Sequence, residues 1–336
     1  MTLTDPPDRP GSVAAGDLDD GGLRLIEGFR QGNVRALARI LSRVENDGDG
    51  AASLVASILS GFRPGARRLG VTGPPGTGKS SLVRELARRI GSGPGPVGIL
   101  AVDPSSPVSG GALLGDRIRM NDGGPDGPYF RSMASRGAIG GLSGSARTVL
   151  DVMDAFGFEQ LLVETVGAGQ AEMEVVSAAD TVILVMMPGQ GDDVQAIKAG
   201  VVDLVDIIVV NKSDLPGADA TVRMVEDALS IRREAREGWV PPVLQTSAED
   251  GAGVDEVLLA WDRHLAWMRE TDELERRRRD RIRSQVRDLL LEDARLRIDR
   301  ILGSGRLVQA DLDRVLEGRA SLGDIRDRLL AEDSSG

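Results

Sequence analysis

The stretch GPPGTGKS, Gly73–Ser80, stands between the apolar run RLGVTG and the helix-patterned run SSLVRELARRI. The spacing G-x-x-x-x-G-K-[ST] at a strand-to-helix turn narrows the possible folds more than any other feature of the chain. Its glycines allow backbone N–H groups to wrap a polyphosphate, and the start of the following helix adds a favourable field for an anion. Lys79 is placed to neutralise β- and γ-phosphate oxygens, and the Ser80 hydroxyl to ligate a magnesium ion. The expected phosphate-binding residues are therefore Gly73, Pro74, Pro75, Gly76, Thr77, Gly78, Lys79, Ser80 and Ser81.

The centre of the chain continues this pattern. Short apolar runs at 68–73, 97–103, 160–165, 181–187, 206–212 and 242–247 alternate with helical segments. Near-continuous apolar strands between helices indicate a mainly parallel sheet covered on both faces, an α/β P-loop NTPase fold. Apolar residues at helical spacing from Leu23 to Val44 predict two helices divided at Gly32-Asn33, with Asn33 capping the second, and AASLVASILSGF predicts a third. Strands end near residue 268, and Ile282, Val286, Leu289, Leu290, Ala294, Ile298 and Ile301 form a helical stripe beyond it. The expected organisation is a disordered tail (1–20), a helical extension (21–62), a nucleotide-binding domain (63–268), a helical arm (269–330) and a short tail (331–336).

A P-loop does not select a base. NKSD, Asn211–Asp214, follows the strand DIIVV and supplies that selectivity. The Asp214 carboxylate can accept from guanine N1–H and N2–H₂, Lys212 can lie along the base, and Asn211 can tie this loop to the P-loop. In TSAED (246–250), a backbone N–H near Ala248 is placed to donate to guanine O6, with Ser247 and Glu249 beside it. Such buried polar demands reject the wrong base by roughly 10⁴. The expected ligands are GTP and GDP with Mg²⁺. Three carboxylates compete for the metal, Asp103, Asp116 and Glu164, the last at the mouth of LLVETVGAGQAE; one or two of them suffice beside Ser80. Two further loops carry charge: Arg131 and Arg136 in RSMASRGAIGGLS, and Asp192, Asp193 and Lys198 in MMPGQGDDVQAIKAG. Spacing leaves Lys198 open between a cation that reaches phosphate and a surface lysine paired with an aspartate one helical turn away.

Composition removes whole classes of chemistry. The chain has no cysteine and one histidine, which excludes disulfides, thiolate metal sites and a multi-histidine centre. His264 is expected as a surface or half-buried helix residue. A net charge of −11 disfavours nucleic acid and anionic membranes. The arginines at 276–279, interspersed with acids and without aromatic partners, read as a solvated helix face or a helix–helix interface. No basic region followed by an apolar run begins the chain and no apolar run is long enough to span a bilayer, so a cytoplasmic location is expected.

In order along the chain, GPPGTGKSSL, AVDPSSPVSGGALLGDRIRM, RSMASRGAIGGLS, VETVGAGQAE, MMPGQGDDVQAIKAG and NKSD resemble the methylmalonyl-CoA mutase-associated GTPases, the MeaB/ArgK branch of the SIMIBI class. The resemblance covers residues 23–268 well and the last seventy more loosely. It implies a GTPase chaperone that protects an adenosylcobalamin-dependent acyl-CoA mutase and gates its cofactor loading, working as a homodimer through the C-terminal arm. It places Ser80, Asp103, Asp116 and Glu164 in the magnesium and switch machinery. It also makes 188–199, with Asp192 and Lys198, the loop through which the mutase stimulates hydrolysis. The C-terminal helices lack the tryptophan-marked pattern of the family arm. Rival readings are a metal-centre assembly GTPase, which the missing cysteines oppose, a GTP-dependent kinase, which NKSD opposes, and a signal-recognition-type targeting GTPase, which would want a basic or methionine-rich domain.

Overall fold

The computed structural model describes residues 18–46, 50–93, 95–103, 127–134, 144–165, 175, 177–189, 204–233, 238–303 and 309–334. Three helices, α1 (Asp20–Arg30), α2 (Val34–Glu45) and α3 (Ala51–Leu59), precede β1 (Arg67–Thr72), α4 (Lys79–Gly91), β2 (Val97–Asp103), β3 (Tyr129–Ala134), α5 (Gly144–Phe156) and β4 (Gln160–Thr165). Then come β5 (Thr181–Met186), β6 (Ile207–Val210), α6 (Ala218–Arg233), β7 (Val243–Gln245) and α7 (Val254–Glu270). The chain ends in α8 (Glu273–Gly303), α9 (Gln309–Leu316) and α10 (Leu322–Ser334). It divides into two compact units after Arg278, within α8.

The seven strands form one sheet in the order β3-β2-β4-β1-β5-β6-β7. Every pairing is parallel. β4 is inserted beside β1 with Val71 opposite Glu164, so the strand before the P-loop and the strand carrying Glu164 end together. On one face Leu69, Val71 and Ile183 pack against Leu82 and Leu86 of α4 and Trp261 of α7. On the other, Val163 and Leu184 pack with Val149 of α5 and with Leu37, Ile40 and Leu41 of α2. Asn33 caps α2, its side chain accepting from Arg35 N–H at 2.9 Å and Ala36 N–H at 3.3 Å. The Phe29 and Phe156 rings meet edge to face at 5.2 Å, and Arg131 on β3 pairs with Glu45. The N-terminal helices thus share the core of the sheet.

Three sequence expectations are corrected. Residues 131–134, expected at the start of a loop, belong to β3, an edge strand held by its register with β2, Gly98 opposite Tyr129 through Asp103 opposite Ala134. His264 is fully buried on α7, because it lies on the stripe Val257, Trp261, Leu265 and Met268 that faces the sheet. The arginine cluster is neither a solvated face nor a helix–helix contact at its centre. Arg277 grips Asp206 with two hydrogen bonds of 2.9 Å, and Arg278 reaches Ala66 O at 3.2 Å.

These arginines close the edge where the strands begin. There carboxylates accept the leading backbone N–H groups: Asp154 from Ala66 at 3.0 Å, Asp180 from Arg68 at 3.1 Å and Asp206 from Val182 at 2.9 Å. Buried carboxylates need partners. Arg68 meets Asp151 at 2.7 Å and Asp154 at 3.1 Å, and Arg277 meets Asp206. Burial pulls the Arg277 guanidinium down, but the bonds to Asp206 outweigh it and hold it above its ordinary value. The His264 ring lies between Trp239, 4.8 Å away, and Trp267, 5.7 Å away, with Nδ1 at 2.8 Å from Thr181 Oγ1 and Nε2 at 3.3 Å from Asp206. Burial lowers it to about 4, against the opposing pull of Asp206.

In the second unit Ile301, Ile325 and Leu329 form a small core with Val315 and Ala320. Most of the α8 stripe, including Ile282, Val286, Leu289, Leu290 and Ile298, is exposed in the single chain.

Candidate functional site

β1 delivers the chain to the P-loop at the sheet's other edge. Gly73 is buried and Pro75 and Gly76 are exposed at the tip, while Thr77 Oγ1 donates to Pro74 O at 2.9 Å and closes the turn. α4 begins at Lys79, so its first N–H groups face the loop and favour an anion there. The buried Lys79 ammonium donates to Gly73 O at 2.7 Å and Pro74 O at 2.9 Å. Both acceptors are neutral carbonyls, which a phosphate oxygen can replace with a stronger, charge-assisted bond. Ser81 is exposed on the outer side of α4.

Ser80, on the first turn of α4, donates its hydroxyl to Glu164 Oε1, and Glu164 is itself buried. Two hard oxygen donors of different charge, side by side at a helix N-terminus, suit magnesium, which takes oxygen ligands and keeps waters. Asp103 ends β2, beside β4; its side chain lies outside the described residues, as do Asp116, Arg136, Asp192, Asp193 and Lys198. Among the described residues no group of three or more His, Asp or Glu side chains that could hold a metal forms.

Asn211, just past β6, is the hub of the second half. Its Nδ2 donates to Thr77 O at 2.8 Å, joining it to the P-loop. Its Oδ1 accepts from Thr246 Oγ1 at 2.9 Å and Ala248 N–H at 3.0 Å. Two donors on Oδ1 leave only one orientation for the amide. The contact with the P-loop requires Gly78, whose φ is 87° and where a Cβ would stand 2.4 Å from Asn211 Nδ2. Lys212 has φ 55°, a rare left-handed setting for a non-glycine residue, and Asp214 is exposed at the rim beyond it.

The third loop differs in detail from expectation. A backbone N–H near Ala248 is expected to meet guanine O6; the N–H of Ala248 itself already donates to Asn211 Oδ1 at 3.0 Å. The Ser247 hydroxyl donates to Asp250 at 2.8 Å and its N–H to Ala252 O at 3.0 Å, closing its own loop, and Glu249 is exposed. Thr246 is the residue that sequence reasoning missed. A hydroxyl at the strand end immediately before Ser-Ala was the available signal.

Fold and site together define a P-loop GTPase: a phosphate loop on the central strand, with an Asn-Lys-x-Asp loop bonded to it from the next strand but one. The chain belongs to the family of methylmalonyl-CoA mutase-associated GTPases of the MeaB type, whose model matches residues 37–300. A Pyrococcus horikoshii relative named as a GTPase is 44% identical over 272 residues, covering 79% of this chain and 84% of its own. The GTPase ArgK of Escherichia coli is 38% identical over 239 residues, covering 69% and 72%. A crystal structure titled LAO/AO transport system kinase superposes with a TM-score of 0.68 at 26% identity, covering 94% of this chain and 98% of that one. The protein hydrolyses GTP to GDP and phosphate. Among the described residues no helix is long and apolar enough to cross a membrane.

Proposed function

We propose that this GTPase is a cytoplasmic chaperone of an adenosylcobalamin-dependent acyl-CoA mutase, protecting the mutase and gating its cofactor loading. The observation that carries the hydrolytic half is the Ser80–Glu164 bond, which links the first turn of the P-loop helix to the start of the ETVG loop. The client half rests on the family, whose description names methylmalonyl-CoA mutase. Asp192 and Lys198, in the 188–199 loop, are the residues through which the mutase would act.

The division of labour follows from the residues. The P-loop N–H groups and the α4 N-terminus hold the phosphates, and Lys79 exchanges its two carbonyl acceptors for β- and γ-phosphate oxygens. Asp214 selects guanine while Asn211 keeps that loop in register with the P-loop. Ser80 and Glu164, with Asp103 and Asp116, would hold Mg²⁺. Magnesium supplies neutralisation of charge on the transferring phosphoryl group. Glu164 passes the presence of the γ-phosphate to Gly167–Gln170. Among the described residues no built-in base stands out, so slow intrinsic turnover is expected. A partner that completes the site accelerates such reactions by roughly 10³–10⁵. Residues 21–62 form the helical extension, 63–268 the GTPase domain and 269–330 the arm that pairs two copies; the exposed Leu289, Leu290 and Leu291 of α8 support that pairing.

The test is GTP turnover with and without the organism's cobalamin-dependent mutase subunits. Stimulation should be large in the parent chain and lost in Lys198→Ala. Unchanged stimulation in that variant would remove the 188–199 loop from the mechanism, and no stimulation by any acyl-CoA mutase would remove the client. Labelled γ-phosphate should appear as inorganic phosphate; transfer to an acceptor would point to a kinase instead.

A further inference from the structure

Glu164, the last residue but one of β4, lies on the face that carries α4, where Ser80 meets it. Eleven residues further on, at Val175, the chain lies across β1 on the opposite face. Val175, Ala178 and Ala179 are all buried there, packed with Val163 of β4 and Leu184 of β5. A helical bond from Ala179 N–H to Val175 O, 3.1 Å, shows that they form one turn. The turn is fastened at its far end. Asp180 N–H donates to Arg68 O at 2.9 Å, and Asp180 Oδ2 accepts from Arg68 N–H at 3.1 Å.

Its near end has a different support, an absent side chain. A Cβ on Gly70 would stand 2.1 Å from Val175 Cγ1, 3.0 Å from Ala179 Cβ and 3.4 Å from Val175 O. No rotamer change relieves this: valine is stiff at χ1, Val175 is fully enclosed, and the second contact is to a methyl fixed on the backbone. β1 cannot retreat, because it is paired on both sides, to β4 and β5. Any side chain at position 70 must displace the helical turn.

We propose that Gly70 is a positioning residue for GTP hydrolysis: its bare backbone seats Val175 and so fixes where the loop that begins at Glu164 ends. This rests on Glu164 acting as the γ-phosphate-linked switch. The seat belongs to that loop and not to the nucleotide. Gly70 presents to the face away from α4, whereas Lys79, Ser80 and Glu164 meet on the α4 side.

The experiment is a double-mutant cycle on the full chain, with single-turnover GTP hydrolysis and GDP affinity as readouts. Gly70→Ala should slow hydrolysis about tenfold to a hundredfold, the range for a misplaced switch, with GDP affinity within about twofold. Val175→Ala alone should change little. Gly70→Ala combined with Val175→Ala should recover most of the rate, because the colliding methyl is gone. Parallel loss of GDP affinity and rate in Gly70→Ala, or a double variant as slow as the single one, would overturn the proposal. If Gly70→Ala does not accumulate folded, Val175→Met presses on the same seat from the other side and should give the same split; equal rates would sink the idea. Glu164→Ala separates the two readings. Unchanged hydrolysis there removes the switch itself, while a loss there with full activity in Gly70→Ala removes only the seat.

Discussion

At the edge of the sheet where strands end, Lys79 donates to two neutral carbonyls and Glu164 accepts from a hydroxyl. At the edge where the same strands begin, Arg68 and Arg277 donate to Asp154 and Asp206, and those two carboxylates also accept from the leading N–H groups of Ala66 and Val182. Both edges bury charge within one sheet, but they differ in what a change of partner costs. The two bonds from the Lys79 ammonium to neutral carbonyls give up little when a phosphate takes their place. Asp206 cannot release Arg277 without leaving a buried carboxylate short of a counter-charge. Exchangeable partners mark the reactive edge and committed partners mark the scaffold.

That contrast can be broken from either side. Lys79→Ala should cost about 10³-fold in GTP turnover, as for loss of a transition-state charge donor, with no loss of thermal stability. A falling melting temperature in that variant would mean that the ammonium is also structural. Asp206→Ala should do the reverse. It orphans the Val182 N–H and strips the Arg277 guanidinium of its two bonds to Asp206, leaving it Glu273 and Asp180 O, for about 3 kcal/mol of stability by denaturant unfolding, while GDP affinity in the folded fraction is kept. A normal midpoint would show that the committed pairs are dispensable.

Acid should find the same edge. Folded His264 titrates at about 4, below its ordinary 6.5, so the unfolded chain binds the extra proton first. Its contribution is therefore complete above pH 6.5 and lost as pH falls through 4, by about 3 kcal/mol in all. Stability curves for the parent chain and His264→Asn should diverge in slope within that window and run parallel above it. Parallel curves throughout would show that the ring titrates normally. The smallest effect should come from Thr181→Val, which takes away the partner of His264 Nδ1: about 1 kcal/mol, with nucleotide binding untouched.

The two edges also differ in how far the sequence disclosed them. GPPGTGKS and NKSD carry local signatures, because backbone wrapping of phosphate demands particular residues at particular spacing. The parallel sheet was legible from its apolar runs. The committed edge was not. Asp180, Asp206, Arg68 and Arg277 are distant in sequence, and nothing local announces that an arginine on α8 will meet the residue preceding β6. β3 escaped notice for a related reason: YFRSMA has no continuous apolar run, and only its pairing with β2 makes it a strand. His264 was legible in principle, since Trp261, Leu265 and Met268 surround it at helical spacing. Thr246 shows the same limit inside the site, where its role depends on the amide orientation of a residue thirty-five positions away.

The placement of the tryptophans has a practical optical consequence. The chain has three, and all lie toward the committed edge: Trp239 and Trp267 flank the imidazole, and Trp261 lies under the Arg67 guanidinium at 4.4 Å. Intrinsic emission of the protein is therefore a built-in gauge of that edge. It will register acidification or detachment of Arg277, and it will stay nearly silent while nucleotide turns over at the opposite end. Following turnover by light requires an added chromophore, on the nucleotide or near Glu164.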